Sequence, residues 1–199
     1  FDASSMIVTP GLINTHHHFY QTLTRALPAA LNKELFPWLT SLYPVWSNLT
    51  EDSVRASTRA AVCELLLSGC TTTVDHHYVF SKALDRAIDV QAEEIKTLGI
   101  RAVLTRGSMS LSKDNGGLPP SDVVQTEDVI LKESQRLIDI EEVKEEVRRV
   151  IEKDPRVEID EIFTQTLDHL IRVQVQLRFL PTLDEDRLFL EYARTDVEI

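Results

Sequence analysis

The sequence predicts an α/β fold, a parallel sheet with helical crossovers over residues 1–138, followed by a small α+β tail with antiparallel strands over residues 139–199. Three observations lead there. Short β-branched or apolar runs alternate with helical-period segments up to residue 137, and two of those segments end on a glycine. Residues able to do chemistry cluster at the downstream ends of the runs. From Asp139 onward the text changes, with 17 acids and 9 bases in 61 residues and stretches of two-residue alternation. Strand–helix alternation alone fits an open doubly wound sheet and a closed eight-stranded barrel equally.

The elements follow in order. Residues 1–8 form an extended lead-in, and Pro10-Gly11 punctuates it. The first strand is expected over residues 7–14, with Leu12-Ile13 as an apolar run suited to a buried strand. Residues 22–31 read as loop or short helix, and Leu35, Phe36, Trp38 and Leu39 make an apolar cluster within residues 34–43. Thr50 before Glu51 and Asp52 is a helix start, with a capping hydroxyl and acids in the first turn. The helix runs over residues 53–68, with Val54, Ala61, Val62, Leu65 and Leu66 on its apolar face, and Gly69 ends it. A second strand over residues 71–74 finishes at Asp75-His76-His77-Tyr78, a stretch that either supplies a site histidine or caps the next helix. A helix over residues 81–98 closes at Gly99. A third strand over residues 100–104 ends at Thr105-Arg106-Gly107-Ser108. Asp114–Pro120 is a loop, and residues 126–137 form a third helix.

In the tail, residues 140–153 read as a charged amphipathic helix stopped by Asp154-Pro155. Residues 157–162, 170–180 and 187–192 read as half-exposed antiparallel strands, as in Val173-Gln-Val-Gln-Leu-Arg-Phe179.

The histidine run after the first strand carries the most chemical information. His16 and His18 are separated by one residue, so on an extended backbone both rings leave the same face, while His17 leaves the other. Two neighbouring imidazoles at a strand end make half of a site for a divalent metal, because neutral imidazole is a good ligand for zinc and its neighbours. Gln21 lies three residues beyond His18 and can reach a carbonyl or ring nitrogen of a bound molecule; a surface glutamine is the plain alternative. Trp38 suits an apolar wall for a flat ring, or ordinary core packing. His76 falls at a strand end where it can join the site. Arg106, at the end of the third strand, can grip an anionic or carbonyl edge or form an ion pair with an acidic helix.

Pro10-Gly-Leu-Ile-Asn-Thr-His-His-His18 resembles the first barrel strand of the amidohydrolase superfamily, where a His-x-His pair holds the catalytic metal. The likeness continues through Leu35–Leu39, Ser68–His77 and Gly99–Ser108, and is greatest to the 8-oxoguanine deaminase and hydroxy-s-triazine aminohydrolase branch. It implies a partial (β/α)8 TIM barrel containing the first three strand–helix units, and a site at the downstream strand ends, where His16, His18, His76, His77 and Arg106 all fall. It implies one divalent metal on His16 and His18, zinc before iron, and hydrolytic deamination of a purine or triazine ring through a water that the metal acidifies. A small heterocycle is the implied partner, and His17 has a supporting rather than a ligating role.

The resembled enzymes take a further metal histidine, a proton-transferring glutamate with a nearby histidine, and a metal aspartate from the fourth strand onward. After His77 the only histidine is His169, in Thr166–Ile171, which matches none of those motifs. Turnover is therefore not expected from this chain alone. The tail, in Glu145–Val157 and Ile171–Phe179, resembles the C-terminal half of the lysozyme-like phage baseplate wedge family, and a charged helix with a β-hairpin describes it equally. The alternative reading is thus a structural assembly module, able to form a homo-oligomer through the tail, that carries an inactive amidohydrolase remnant. An artificial chimera of two genes is the third.

Composition narrows the partners. Hydrophobic content of 43% and charged content of 27% are ordinary for a globular chain. A net charge of -11 opposes non-specific nucleic-acid binding, and no apolar run reaches the length of a membrane span. Neither a signal-peptide pattern nor an initiating methionine precedes Phe1, so the text reads as cut from something longer. Cys63 and Cys70 suit neither a zinc knuckle nor a redox pair; they read as two small buried hydrophobes in a reducing, cytoplasmic setting.

Overall fold

The structure, a computed structural model, describes residues 2–139 and the backbone of residues 171–175. Four strands form one sheet in the order β1-β2-β3-β4: Leu12–His17, Cys70–His77, Arg101–Arg106 and Ile171–Val175. All three pairings are parallel. Sequential order without reversal is how a (β/α) barrel is built, whereas a doubly wound sheet changes direction at a switch point. Between the strands lie α1 (Leu35–Trp46), α2 (Glu51–Leu67) and α3 (Ala87–Leu98), with a helical stretch α4 at residues 127–139. α2 packs on β2 and α3, and α3 packs on β3 and β4.

The local signals act as expected for α2. The Thr50 hydroxyl accepts from the Ser53 N–H, Glu51 and Asp52 occupy the first turn, and Gly69 takes the left-handed conformation (φ 83°) just past the end. Gly99 does the same after α3 (φ 77°). α3 starts at Ala87 rather than at residue 81, because residues 81–86 are held as a turn. There the Ser81 hydroxyl donates to the Leu49 carbonyl and Leu84 N–H bonds back to Ser81. Asp75, His76 and His77 lie inside β2, so Asp75 caps no helix.

Two aromatic residues immediately after His18 anchor the end of β1. Phe19 enters the sheet–helix core with Ala61, Val62, Ile88, Ile95 and Leu104. Tyr20 enters a second cluster with Leu42, Tyr43, Trp46, Val79 and Leu84. Both are fully buried, so neighbouring side chains pull the same turn into two cores at once.

Three expectations are corrected. Leu12 and Ile13 are 61% and 66% exposed, not buried, because β1 stands at the edge of the described sheet. Cys63 is exposed on α2, and only Cys70 is buried; both are free thiols. The strand Ile171–Val175, read as antiparallel, runs parallel to β3 in the register Ala102↔Ile171 to Arg106↔Val175. Two-residue alternation reports that the faces differ, and says nothing of the neighbour's direction. The expected tail helix, the strands at residues 157–162 and 187–192, and the wedge-like segments other than residues 171–175 lie outside the described residues. Among the described residues no helix is long and apolar enough to cross a membrane.

Gly107 joins the ends of β2 and β3: its N–H donates to the His77 carbonyl at 2.7 Å. A Cβ there would stand 2.6 Å from the Tyr78 Cβ and 3.2 Å from the His77 carbonyl oxygen. Gly107→Ala is expected to destabilise the fold by roughly 1–3 kcal/mol through overpacking, read as a lower urea midpoint with an unchanged slope.

Candidate metal centre

Strand alternation divides the histidines between the two faces of the sheet. Along β2, Thr73, Asp75 and His77 are buried on the side of the helices, while Thr72, Val74 and His76 face the other way and are partly accessible. The register His76↔Thr105 and His77↔Arg106 extends the division to β3. His16 and His76 lie ring to ring with centroids 4.7 Å apart, and the His18 ring lies 4.9 Å from His16 and 5.8 Å from His76. Three imidazoles thus gather on the accessible face at the downstream ends of β1 and β2.

Within this group the His16 and His18 Nε2 atoms are 3.1 Å apart. Two nitrogens bound to one tetrahedral zinc at its usual bond length stand about 3.3 Å apart, so the pair has the bite of a chelate. The His18 Nδ1 lies 2.6 Å from the His76 carbonyl oxygen. A carbonyl only accepts, so Nδ1 carries the proton and the Nε2 lone pair of the neutral ring points at His16. Partial burial lowers the His18 pKa and favours that neutral form; the bond to the His76 carbonyl is the main opposing influence, and the neighbouring imidazoles act with burial. These residues fit a divalent metal. Among the described residues no third His, Cys, Asp or Glu completes a metal-binding group with them.

The other expected site residues are placed as follows. The Gln21 amide donates to the Tyr20 and Tyr78 hydroxyls at 3.3 Å each. The Tyr78 ring meets His18 edge-on at 5.4 Å, which leaves Gln21 one phenol away from the pair. The His76 Nδ1 is 3.2 Å from the Thr105 hydroxyl, so Thr105 orients this ring on the accessible face. Trp38 packs edge-on against Trp46 at 5.5 Å, half-buried in α1. Arg106 is not brought to the pair. Its position in β3 turns it toward the helices, where it is buried, bonds to the Gly107 carbonyl (2.7 Å) and the Gln125 side chain, and lies over the Phe80 ring at 4.4 Å. Burial without a contacting carboxylate pushes its pKa down to about 10, with Glu133 acting weakly the other way. His17 points away from the pair and packs on Phe19 at 5.0 Å.

Two residues beside the pair have no role of their own in the sequence reading. Asp75 is fully buried and accepts from the Phe19 N–H at 2.6 Å and the Gln91 side chain at 2.7 Å. Tyr78 supplies the phenol between Gln21 and His18. The available signal for Asp75 was an acid on the face of β2 opposite to His76, a position otherwise reserved for core.

These strands form a parallel sheet in sequential order with helical crossovers, and paired imidazoles stand at its strand ends. The Amidohydrolase family profile matches residues 7–170, and the chain belongs to that family. It is 59% identical over 138 residues to 8-oxoguanine deaminase of Pseudomonas aeruginosa, covering 69% of this chain and 31% of that protein. It is 35% identical over 132 residues to hydroxydechloroatrazine ethylaminohydrolase of Pseudomonas sp. strain ADP, covering 65% and 27%. The crystal structure of atrazine chlorohydrolase from Arthrobacter aurescens TC1 complexed with zinc matches with a TM-score of 0.68 at 25% identity, over 92% of this chain and 39% of that one. The chain therefore spans about a third of the length of these curated relatives.

Burial raises the Asp75 pKa to about 7, against the bonds from Phe19, Gln91 and His76 that lower it. A carboxyl whose pKa is raised in the fold is destabilising once ionised, so its contribution is most favourable below the unfolded value of 3.8 and is lost as pH rises toward 7. Asp75→Asn is free of that loss. Its stability relative to the parent is expected to increase between pH 4 and pH 7, by an amount on the order of a few kcal/mol, in urea unfolding followed at each pH.

Proposed function

We propose that this chain supplies the metal-gripping strand ends of a hydrolytic deaminase acting on a small heterocycle of the 8-oxoguanine or hydroxy-s-triazine kind. The observation that carries the reading is the His16–His18 pair, with Nε2 atoms at 3.1 Å and the tautomer of His18 set by the His76 carbonyl. His16 and His18 would hold one divalent metal, zinc in preference to iron, on two neutral nitrogens. When bound, such a metal lowers the pKa of water and so supplies a nucleophile at neutral pH.

The chain's own residues shape the surroundings. His76, held by Thr105, presents an imidazole beside the pair for a ring nitrogen or carbonyl of the substrate. Gln21, braced by two phenols, offers its amide carbonyl and a positioned polar edge at the same mouth. A cytoplasmic setting fits the two free thiols. Turnover requires ligands and a proton-transfer group beyond these residues, so binding rather than catalysis is the property to measure on this chain.

The chain is expected to bind one equivalent of zinc or cobalt(II) per monomer in equilibrium dialysis with metal analysis. His16→Ala and His18→Ala should each weaken binding at least 10-fold, since a single imidazole is left, whereas His17→Ala should leave it unchanged. Stoichiometric binding that survives loss of both His16 and His18 would place the metal elsewhere and end this reading.

A further inference from the structure

We infer that Asp75, seated by Gln91, is the positioning residue that sets the bite of the His16–His18 pair, by clamping the backbone next to His18 where the strand ladder has ended. The inference rests on the metal reading above and adds a residue that does not touch the metal.

The last rung of the β1–β2 ladder pairs His17 with Asp75, after a register shift beyond Asn14. His18 then leaves the extended conformation's ladder, at φ -135° and ψ 86°, and a 3-10 turn follows over Phe19–Thr24. No further rung holds the backbone carrying the second imidazole, and the buried Phe19 and Tyr20 rings anchor the turn beyond it without fixing the backbone at His18 itself. Two other bonds take over. The Asp75 carboxyl accepts from the Phe19 N–H at 2.6 Å, and the His76 carbonyl accepts from His18 Nδ1 at 2.6 Å. Consecutive residues 18 and 19 are thereby tied to consecutive residues 76 and 75. The second carboxyl oxygen takes the Gln91 amide of α3 at 2.7 Å, which fixes the rotamer of Asp75 against the helix layer. Asp75 is 0% exposed, and burying an acid is costly unless it is hydrogen-bonded. Only an acceptor at that point satisfies the Phe19 N–H, so the position is explained by the clamp. Buried partners of this kind, one bond removed from a ligand, typically govern affinity by roughly 10- to 100-fold.

The test is a cobalt(II) titration of the full chain, read by visible absorption, with thermal melting as a check on folding. Asp75→Asn keeps an oxygen for the Phe19 N–H, and once the Gln91 amide turns over, the new N–H donates to the Gln91 carbonyl oxygen, which has no partner now. Its cobalt affinity should stay within about three-fold of the parent. Asp75→Val/Gln91→Met removes the whole polar pair at similar volume, a change that a core tolerates. This variant should bind cobalt roughly 10- to 100-fold more weakly, with an altered absorption band, while melting cooperatively. Parental affinity and spectrum in the double variant would overturn the inference, as would an Asp75→Asn variant as weak as the double. Should the double variant not fold, amide exchange in the unsubstituted chain decides: slow exchange at Phe19 supports the clamp, and exchange at the rate of an unprotected turn refutes it. A parent chain that binds no cobalt is instead a failure of the metal reading, and takes this inference with it.

Discussion

One hydrogen bond decides the chemistry available at this site: the His18 ring donates through Nδ1 to the His76 carbonyl. The acceptor is a backbone oxygen, so it holds the same tautomer at every pH at which the ring is neutral. The free lone pair then has one direction, toward the His16 nitrogen 3.1 Å away. Parallel pairing makes this bond reachable. β1 and β2 run side by side and end together, so a residue just past the end of one faces the backbone near the end of the other. An antiparallel partner would bring its start, not its end, to the histidines, and the two clusters of imidazoles would lie at opposite edges of the sheet.

Five of the chain's six histidines sit in two runs, yet they do not form one cluster. Alternation sends His16 and His76 to the accessible face and His77 to the helix side; His18, just past the strand, returns to the first group. His77 lies between Tyr20 and Phe80, bonds to the Val79 carbonyl, and has its pKa pushed down to about 4, chiefly by burial. It is a neutral core residue that happens to be polar. The same face carries Asp75 and Arg106, each partnered by amides, a backbone carbonyl or a ring face rather than by the other's charge. Adjacent positions in the text thus do opposite work, and the border between site and core runs through each histidine run.

Much of this was legible in the sequence. Thr50, Gly69 and Gly99 mark helix ends because capping and left-handed backbone are local requirements. The His-x-His spacing gives a shared face because alternation is local too. What failed was whatever depends on the neighbour. The direction of Ile171–Val175 is set by β3, not by its own alternation. The exposure of Leu12 and Ile13 depends on what lies beyond the sheet edge. The inward or outward turn of Arg106 required the register with β2, since moving a strand end by one residue exchanges its faces. Asp75 was readable as a strand-end acid, but its bond to Phe19 joins residues 56 apart in the chain.

The physical weight of the site lies in its preorganisation. A chelate gains affinity when its donors are already at the spacing the ion needs, because the ordering of the side chains is done by the fold rather than by the ion. Here Phe19 and Tyr20 lock the backbone after the second imidazole into two separate cores, and the His76 carbonyl locks its ring. Two nitrogens still leave a tetrahedral ion half-coordinated. The accessible face that carries them borders the exposed edge of β1 in the described sheet. The two imidazoles are set by the end of β1 and by the β2 backbone it meets, so their spacing is a property of the fold.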